Sequence, residues 1–412
     1  MKTKIYLKEN YWLFIPFVSA FFLYFTMNYG AGVSTDSIVF LNAAENILEY
    51  GEILVTAFGE KIPMTHFPPL YSMFLAITSF ILNCGVEFSA KIMATLCFGV
   101  NFFLIGVMCR KLQLKSLQIL PVLLLFAMSE YMILIHVKVF TEPLFITFML
   151  VGFIFLANYL EKASIKYLFY AGFSIALACL TRYVGIVLVG VGGLSILLFL
   201  HRKFLSRIKY ALIFGVISLS PLFLWFIRNM ILTTNPTNRH IIFHPIGVAH
   251  TRQFIRSILF IFLPDSIIEY IKVTPMTIGI KIRLLLICLG ISILFIVLIR
   301  KFWKSDFAKL KLFWNEQRAL LGILTIFFFA YPIFLIISIS FMDYTTPLSY
   351  RIMLPWIIIF GILFFRIAIL VMSDNKIAKR IILIVFISLA CSYGIRGVRL
   401  TNKIYLYGSG YS

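Results

Sequence analysis

The sequence predicts an all-α membrane protein built as a bundle of transmembrane helices. Of the 412 residues, 61% are hydrophobic and 13% are charged, whereas a soluble domain carries about a quarter charged residues. Apolar runs of about 20 residues, enough to cross a bilayer as a helix, recur from end to end. The sequence lacks the short alternating segments typical of a membrane β-barrel. We therefore expect a polytopic helical bundle of about 11 spans, within a range of about 10 to 13.

The charge pattern argues for membrane orientation and against nucleic acid as a partner. The formal net charge is +21, and most Lys and Arg residues cluster in short segments between apolar runs. This clustering is typical of cytoplasmic loops under the positive-inside rule. The segments assigned to the cytoplasmic side are the N-terminus and residues 110–115, 161–166, 201–209, 300–311 and 373–380.

Apolar segments fall in pairs between these basic loops from residue 110 onward. The predicted spans are 116–135, 142–160, 167–181, 183–200, 210–227, 281–299, 319–341, 352–372 and 381–395. Before residue 110 the count is odd, because three apolar stretches (11–30, 68–83 and 91–109) precede it. The stretch 68–83 is short for a span, so it is either a partial span or one bent element together with 91–109.

The remaining polar segments, outside the basic loops, are assigned to the opposite, extracytoplasmic face. It holds a first extracytoplasmic loop, about 31–67, and a long extracytoplasmic segment, about 228–280. No repeat or low-complexity linker interrupts the sequence. We expect one membrane domain over residues 1–412, without a soluble C-terminal domain, whose functional face is extracytoplasmic.

Acidic residues are concentrated in the first extracytoplasmic loop. Asp36 begins a stretch that predicts a short amphipathic helix at the membrane surface, with Thr35 and Asp36 as N-cap residues. Glu45, Glu49 and Glu52 share one face of this helix, and we expect them to face water. Asp36 either caps the helix or points into a cavity at the membrane boundary. We favour the second role.

Three further ionisable residues lie at the borders of apolar segments. His66 precedes a Pro-Pro pair that opens the next helix, and it is either structural or part of a site. Glu142 lies at the mouth of a predicted span, where a helix dipole would also stabilise a carboxylate. Arg182 interrupts an apolar stretch, either as a functional residue at depth or as an interface arginine in a tight turn.

Several arginines break the orientation rule by lying on the extracytoplasmic side. They are Arg228, Arg239 and Arg351. A guanidinium stays charged when partly buried and forms bidentate contacts with phosphate. These residues therefore indicate binding of an anionic lipid headgroup or a lipid phosphate.

Six segments together resemble the membrane glycosyltransferases of the GT-C type, which include protein O-mannosyltransferases and the bacterial aminoarabinose transferase. The order of these segments, on one face of the membrane, carries the resemblance. They are TDSIVFLNAAENILEYG (35–51), HFPPLYSMFLA (66–76), TEPLF (141–145), TRYVG (181–185), WFIRNMILTTNPTNR (225–239) and RIMLPW (351–356).

The resemblance implies a GT-C-like bundle that transfers a sugar from a polyprenyl-phosphate carrier to an extracytoplasmic lipid, glycan or protein, with inversion. Asp36 would be the general base that deprotonates the acceptor hydroxyl. The donor-phosphate ligands would be Arg182, Arg228, Arg239, Arg351 and His66, and the further site candidates are Glu142, Tyr71 and Tyr183. It also implies location in a bacterial inner membrane, in contact with membrane lipids.

One departure and two alternatives accompany this interpretation. The aminoarabinose transferase has a Lys before its Pro-Pro pair, whereas Phe67 stands there in this sequence, after His66. The sequence has no DxD, so we expect no catalytic divalent metal and no other cofactor. The alternative functions are a polysaccharide polymerase or ligase that uses polyprenyl-linked sugars, with its signal in the segment 228–280, and a non-enzymatic lipid flippase or permease.

Overall fold

The described part of the chain is almost entirely helical. The computed structural model describes residues 10–239, 241–262, 317–372 and 376–409. The helices are α1 (Phe14–Thr26), α2 (Thr35–Tyr50), α3 (Leu70–Leu82), α4 (Val86–Lys111), α5 (Ser116–Ala127), α6 (Glu130–His136), α7 (Glu142–Lys162), α8 (Ile165–Thr181), α9 (Ile186–Phe199), α10 (Phe204–Thr233), α11 (Val248–Phe262), α12 (Arg318–Met342), α13 (Tyr350–Met372) and α14 (Lys376–Tyr407). Within these ranges the single sheet is an antiparallel hairpin of β1 (Leu54–Ala57) and β2 (Glu60–Pro63).

The predicted membrane class is confirmed by the length and composition of the helices. Within the described ranges, five helices are long and apolar enough to cross a membrane, or six when α5 and α6, bent by 61°, count as one span. The five are Val86–Lys111, Glu142–Lys162, Phe204–Thr233, Arg318–Met342 and Tyr350–Ile369. The shorter apolar helices are α1, α3, α8 and α9. With the 3₁₀ turns that precede α1 and α9, they cover Tyr11–Thr26, Leu70–Leu82, Ile165–Thr181 and Tyr183–Phe199. The total of 11 spans stays a prediction, since the predicted span 281–299 lies outside the described residues.

The ambiguous stretch 68–83 forms a separate short helix, α3. It has 13 residues, or about 20 Å of helix, which is less than the roughly 30 Å of a bilayer core. Asn83, with φ of 48°, ends α3 in the left-handed conformation, and α4 begins at Val86. Length alone does not separate α3 from α1, which also has 13 residues, so we use the sidedness of the basic segments and interpret α3 as a helix that does not cross. Two crossings, α1 and α4, then precede the basic residues at 110, which is the even number that the positive-inside rule requires.

The helices pack around one large apolar core. The most extensive contacts join α7 with α8, α8 with α10, α1 with α4, and α9 with α10. Helices α12 and α13 close the bundle against α9 and α7. The core includes fully buried aromatic residues such as Phe145, Phe153 and Phe327. Since these helices bury apolar side chains on several faces, the bundle is a rigid support for the polar loops at its ends.

The predicted first extracytoplasmic loop has a smaller apolar core of its own. Helix α2 begins one residue after Ser34, whose backbone N–H donates to Ser37 Oγ at 3.0 Å. The N-cap is thus Ser34, one residue before the predicted Thr35, and Asp36 lies in the first turn. Phe40 on α2 packs edge-on against Tyr71 of α3, with ring centroids 5.5 Å apart. The loop is therefore a folded platform on the bundle.

A second set of contacts ties the start of this loop to distant parts of the chain. Gly32 N–H donates to the Val137 carbonyl at 2.7 Å, and Val139 N–H donates back to the Gly32 carbonyl at 2.9 Å. Ser37 Oγ also donates to the Val139 carbonyl at 2.8 Å. Ser409, just after α14, donates its hydroxyl to the Val137 carbonyl at 3.1 Å. Helix α2 is therefore held in register with the segment that leads into α7.

Candidate active site

Asp36 faces the bundle from the first turn of α2, where the folded platform meets the long helices. Its Oδ2 lies 2.8 Å from a terminal guanidinium nitrogen of Arg351, at the start of α13. The Asp36 side chain is 33% exposed, so it is open to solvent on one side. Its other oxygen, Oδ1, has no hydrogen-bond partner among the described residues. A partly exposed carboxylate with one oxygen fixed by an arginine can accept a proton from an incoming hydroxyl.

Glu142 lies directly behind this pair and is almost completely buried. Arg351 Nε donates to Glu142 Oε1 at 2.6 Å, and the same guanidinium lies 3.9 Å from the centroid of the Phe140 ring. Glu142 is only 1% exposed. A carboxylate in such surroundings is stable only when cations and donors compensate its charge. Arg351 therefore connects the accessible acid, Asp36, with the buried acid, Glu142.

Arg182 pairs with Glu142 from the opposite side. Its Nη1 lies 2.5 Å from Glu142 Oε1 and donates to Thr141 Oγ1 at 2.8 Å. Arg182 ends α8 in an extended conformation, and a 3₁₀ turn over Tyr183–Gly185 follows. A Cβ on Gly185 would lie 2.7 Å from the backbone of Cys179, so the turn needs glycine there. The tight turn thus places the arginine against α7.

The four charges form an alternating chain, Asp36–Arg351–Glu142–Arg182, contributed by α2, α13, α7 and the end of α8. Two acids and two arginines sum to zero formal charge. A bound phosphate would therefore add an anion to a balanced cluster, and further positive charge must come from other residues. The structure supplies candidates for it in the adjacent outer segment.

Arg239 has unused hydrogen-bonding capacity next to this cluster. Its closest ion-pair contact is 3.9 Å, to Asp343 Oδ2, and its Nε is buried without a hydrogen-bond partner in the described structure. The guanidinium lies 5.9 Å from the centroid of the Tyr183 ring. A buried unpaired donor costs free energy, so this geometry suits an anionic ligand.

His66 lies within electrostatic range of both Asp36 and Arg239. His66 is an exposed residue, but partial loss of solvent around the imidazole and, second, the Arg239 guanidinium lower its pKa from the usual 6.5, although Asp343 and Asp36 act in the opposite direction. The imidazole also packs edge-on against Phe67, with ring centroids 4.7 Å apart. An anion bound here would raise the pKa of His66, which would then carry the added positive charge.

Arg228 is engaged differently from the other arginines. It donates to the main-chain carbonyls of Met64 and Ile53, both at 3.0 Å, and to the side-chain oxygen of Asn229, also at 3.0 Å. Its guanidinium lies 4.7 Å from the centroid of the Trp225 ring. Its predicted contact with phosphate stays a prediction, because these contacts hold protein carbonyls.

The two tyrosine candidates lie in different surroundings. Tyr71 is 2% exposed and belongs to the small apolar core under α2. Tyr183 borders the site, where its hydroxyl donates to the Thr65 carbonyl at 3.0 Å and accepts from Trp225 Nε1 at 3.2 Å. Glu45, Glu49 and Glu52 are all exposed, as predicted. Only Glu45 and Glu49 lie on α2, because the helix ends at Tyr50 and Gly51 caps it in the left-handed conformation, so Glu52 follows the helix.

Sequence reasoning missed two residues at this site. Thr141 was passed over, although it precedes Glu142 directly and contacts Arg182. Lys138 lies between α6 and α7, where loss of solvent and then the Arg351 guanidinium lower its pKa. Both belong to the segment HVKVFTEP (136–143), so the available signals were the threonine of the TEP motif and the lysine three positions before it. Among the described residues, no group of three His, Cys, Asp or Glu side chains could hold a metal ion. The expectation of metal-free catalysis stays untested.

Comparison with known proteins places this geometry in context. Residues 66–225 match the family model of dolichyl-phosphate-mannose-protein mannosyltransferase. This region includes His66, Glu142 and Arg182, whereas Asp36, Arg228, Arg239 and Arg351 lie outside it. A search of curated protein sequences finds no match.

Two solved structures share the fold. ArnT from Cupriavidus metallidurans, bound to undecaprenyl phosphate, superposes with a TM-score of 0.56 at 13% identity, over 97% of this chain and 76% of that one. The Archaeoglobus fulgidus oligosaccharyltransferase, tethered to an acceptor peptide, gives 0.55 at 11% identity, over 99% of this chain and 56% of that one. At these identities the matches show the fold alone. With the family model, they confirm the resemblance to the GT-C type.

Proposed function

We propose that this membrane glycosyltransferase of the GT-C type takes a sugar from a polyprenyl-phosphate carrier and transfers it, with inversion, to a hydroxyl group on the extracytoplasmic side of a bacterial inner membrane. The observation that carries the proposal is the position of Asp36. Its carboxylate is partly exposed at the edge of the bundle and fixed by Arg351 at 2.8 Å. The undecaprenyl phosphate in the ArnT structure supports the donor class.

The proposed reaction is one displacement at the anomeric carbon of the donor. Asp36 Oδ1 takes the proton from the acceptor hydroxyl as that oxygen forms the new glycosidic bond. The bond from the anomeric carbon to the phosphate oxygen breaks, and the polyprenyl phosphate leaves with the electron pair. Attack from the face opposite the leaving group inverts the configuration. In this proposal no divalent metal takes part.

The four-charge chain has no net charge, so the leaving phosphate needs further cations beside its two arginines. Arg239 has a buried Nε without a hydrogen-bond partner among the described residues, and both Arg239 and Asp36 act electrostatically on His66. We assign the phosphate to these two residues, with Arg182 and Arg351 contributing from the balanced cluster. Glu142 then has a positioning role, because it fixes both of those arginines. The acceptor, a lipid, glycan or protein, reaches Asp36 from the side of the protein that carries the first extracytoplasmic loop.

The first experiment measures transfer by purified protein in nanodiscs. A radiolabelled polyprenyl-phosphate sugar and an extract of extracytoplasmic acceptors are supplied to wild type, Asp36→Asn and Glu45→Gln. Glu45 is an exposed acid on the same helix, so it controls for loss of charge on α2. We expect Asp36→Asn to lower the transfer rate by roughly 10²- to 10⁴-fold while donor binding persists, and Glu45→Gln to stay close to wild type.

The other results separate the alternative functions. Equal transfer by wild type and Asp36→Asn would remove Asp36 from the mechanism and favour a polymerase or ligase that acts through the segment 228–280. Absence of transfer with every donor, although the lipid still binds, would favour a flippase or permease.

A further inference from the structure

The segment that precedes His66 is held by side chains from two other parts of the bundle. Arg228 on α10 donates to the carbonyls of Ile53 and Met64, which lie at the two ends of the β1–β2 hairpin. These two residues also bond each other, since Met64 N–H donates to the Ile53 carbonyl at 3.2 Å. One guanidinium therefore fixes both ends of the hairpin on α10.

The next carbonyl along the chain is held as well. Tyr183 donates its hydroxyl to the Thr65 carbonyl at 3.0 Å. Trp225 connects the two holding residues, because its Nε1 donates to the Tyr183 hydroxyl at 3.2 Å and its ring lies under Arg228. Met64 and Thr65 are 1% and 6% exposed, so their carbonyls need protein partners.

His66 is thus fixed from both sides of its backbone. Before it, the carbonyls of residues 64 and 65 are bonded to Arg228 and Tyr183. After it, Phe67 packs on Phe40 with ring centroids 4.9 Å apart, and Pro68 and Pro69 restrict the chain. With the backbone fixed, only two side-chain torsions remain to place the imidazole.

We propose that Arg228, Tyr183 and Trp225 form a clamp that positions His66 for the donor phosphate. This inference rests on the proposed function, and it gives Arg228 a positioning role in place of direct contact with phosphate. The donors of Arg228 already serve protein carbonyls, whereas Arg239 keeps a buried Nε without a described partner. The two outer arginines thus have different roles: Arg228 holds the backbone before His66, and Arg239 contacts the phosphate.

The chain offers a matched control on the same helix. Arg207 also donates to two main-chain carbonyls, those of Arg202 and Leu197, at 2.8 and 3.1 Å. It lies 21 residues before Arg228, near the other end of α10. The variants are therefore Arg228→Gln, Tyr183→Phe and, as control, Arg207→Gln. Each is also combined with His66→Gln.

The first readout does not depend on activity. Lys61 lies on β2 within the clamped segment, so trypsin cleavage after it reports release of the hairpin. We expect faster cleavage after Lys61 in Arg228→Gln and Tyr183→Phe than in wild type or Arg207→Gln. Unchanged cleavage in both clamp variants would show that these contacts do not hold the loop, and would overturn the proposal.

The second readout is donor KM in the transfer assay. A displaced binding group costs an order of magnitude or more, so we expect donor KM to rise about tenfold in either clamp variant, with acceptor KM nearly unchanged. In the His66→Gln background the clamp variants should add little, because they act through His66. Full additivity, or an equal effect of Arg207→Gln, would overturn the positioning role.

Failure of the proposed function would look different. If wild type neither transfers sugar nor binds the polyprenyl-phosphate donor, the proposed donor site is wrong and the positioning role falls with it, although the trypsin result would still describe the loop. If transfer requires Asp36 and donor KM is the same in the clamp variants as in wild type, the proposed function stands and the clamp proposal alone fails.

Discussion

Glu142 is the buried counter-ion of two arginines at the site, Arg182 and Arg351. It is 1% exposed and contacts Arg182 and Arg351 within 2.6 Å. Removing one partner of a buried ionic cluster leaves the other charges uncompensated, which costs far more than the net contribution of the pair. Surface ion pairs contribute little, because water already solvates both partners.

Replacing Glu142 should therefore destabilise the whole protein. We expect Glu142→Gln to lower the free energy of unfolding by about 3 kcal/mol, because two arginines lose their buried counter-ion. The control is Glu161→Gln, which breaks the exposed pair with Lys111 and should cost less than about 1 kcal/mol. Denaturant unfolding of both variants in detergent measures the difference. Equal losses would show that the Glu142 cluster is solvated like a surface pair.

His66 predicts how donor binding depends on pH. Its pKa is below 6.5 in the free protein, because of lost solvent and the nearby Arg239. A bound phosphodiester anion would raise that pKa, so binding takes up a proton between the free and bound values. Donor affinity should then fall as pH rises through this window, by at most about tenfold per pH unit.

Binding titrations of the polyprenyl-phosphate sugar from pH 5 to 8 measure this dependence. The donor is a diester and does not titrate in that range. His66→Gln should flatten the profile, whereas His201→Gln, in a predicted cytoplasmic loop, should leave it unchanged. A pH-dependent profile that survives His66→Gln would assign the proton to another group.

At the scale of elements, the turn between α8 and α9 determines where Arg182 lies. The chain leaves α8 in an extended conformation at Arg182 and turns over Tyr183–Gly185. Gly185 approaches the backbone of Cys179 so closely that a Cβ would lie at 2.7 Å. Both Arg182, which pairs with Glu142, and Tyr183, which belongs to the clamp, depend on this close approach.

A methyl group at Gly185 should therefore disturb the site through the turn. We expect Gly185→Ala to destabilise the protein by about 1 to 3 kcal/mol, since overpacking must shift backbone rather than a flexible side chain. Transfer activity should fall with it. Gly190→Ala, where the structure shows open space around the added methyl, should be neutral or stabilising by up to about 1 kcal/mol. Unfolding and transfer assays on both variants measure these effects. Similar stability and activity in the two variants would mean that the turn tolerates a larger distance between Gly185 and the backbone of Cys179.

At the scale of the whole molecule, the site joins parts of the chain that are distant in sequence. Asp36 and Arg351 are in direct contact although 315 positions separate them (351 − 36). Gly32, Val137 and Ser409 meet at the edge of the same platform. The bundle brings these segments to one end, which is where a lipid-linked substrate and an external acceptor would meet.

The interpretation of α3 as a helix that does not cross gives a topology test. In a variant without native cysteines, thiols are introduced at Phe58, on the hairpin tip, at Asn83, after α3, and at Ala163, between α7 and α8. A membrane-impermeant thiol reagent should label positions 58 and 83 from the same, extracytoplasmic side, and position 163 from the other. Labelling of 58 and 83 from opposite sides would make α3 a span.

The sequence by itself determined the membrane class and the short helix that carries Asp36. These features depend on local composition and periodicity, because the bilayer requires each span to satisfy its own backbone and to be apolar along its length. Single polar residues within apolar runs, such as Glu142 and Arg182, also stand out for that reason, so most of the candidate site could be named in advance.

Only the tertiary structure decided which of these residues act together and how. It paired Arg351 with Asp36 and Glu142 and turned Arg228 toward protein carbonyls. Within the described ranges it also left the buried Nε of Arg239 without a hydrogen-bond partner. It also separated α3 from α4 at Asn83 and formed the β1–β2 hairpin. Contacts between residues hundreds of positions apart depend on how the helices pack. The hydropathy pattern does not specify which side chains contact each other, so the sequence could not assign these roles.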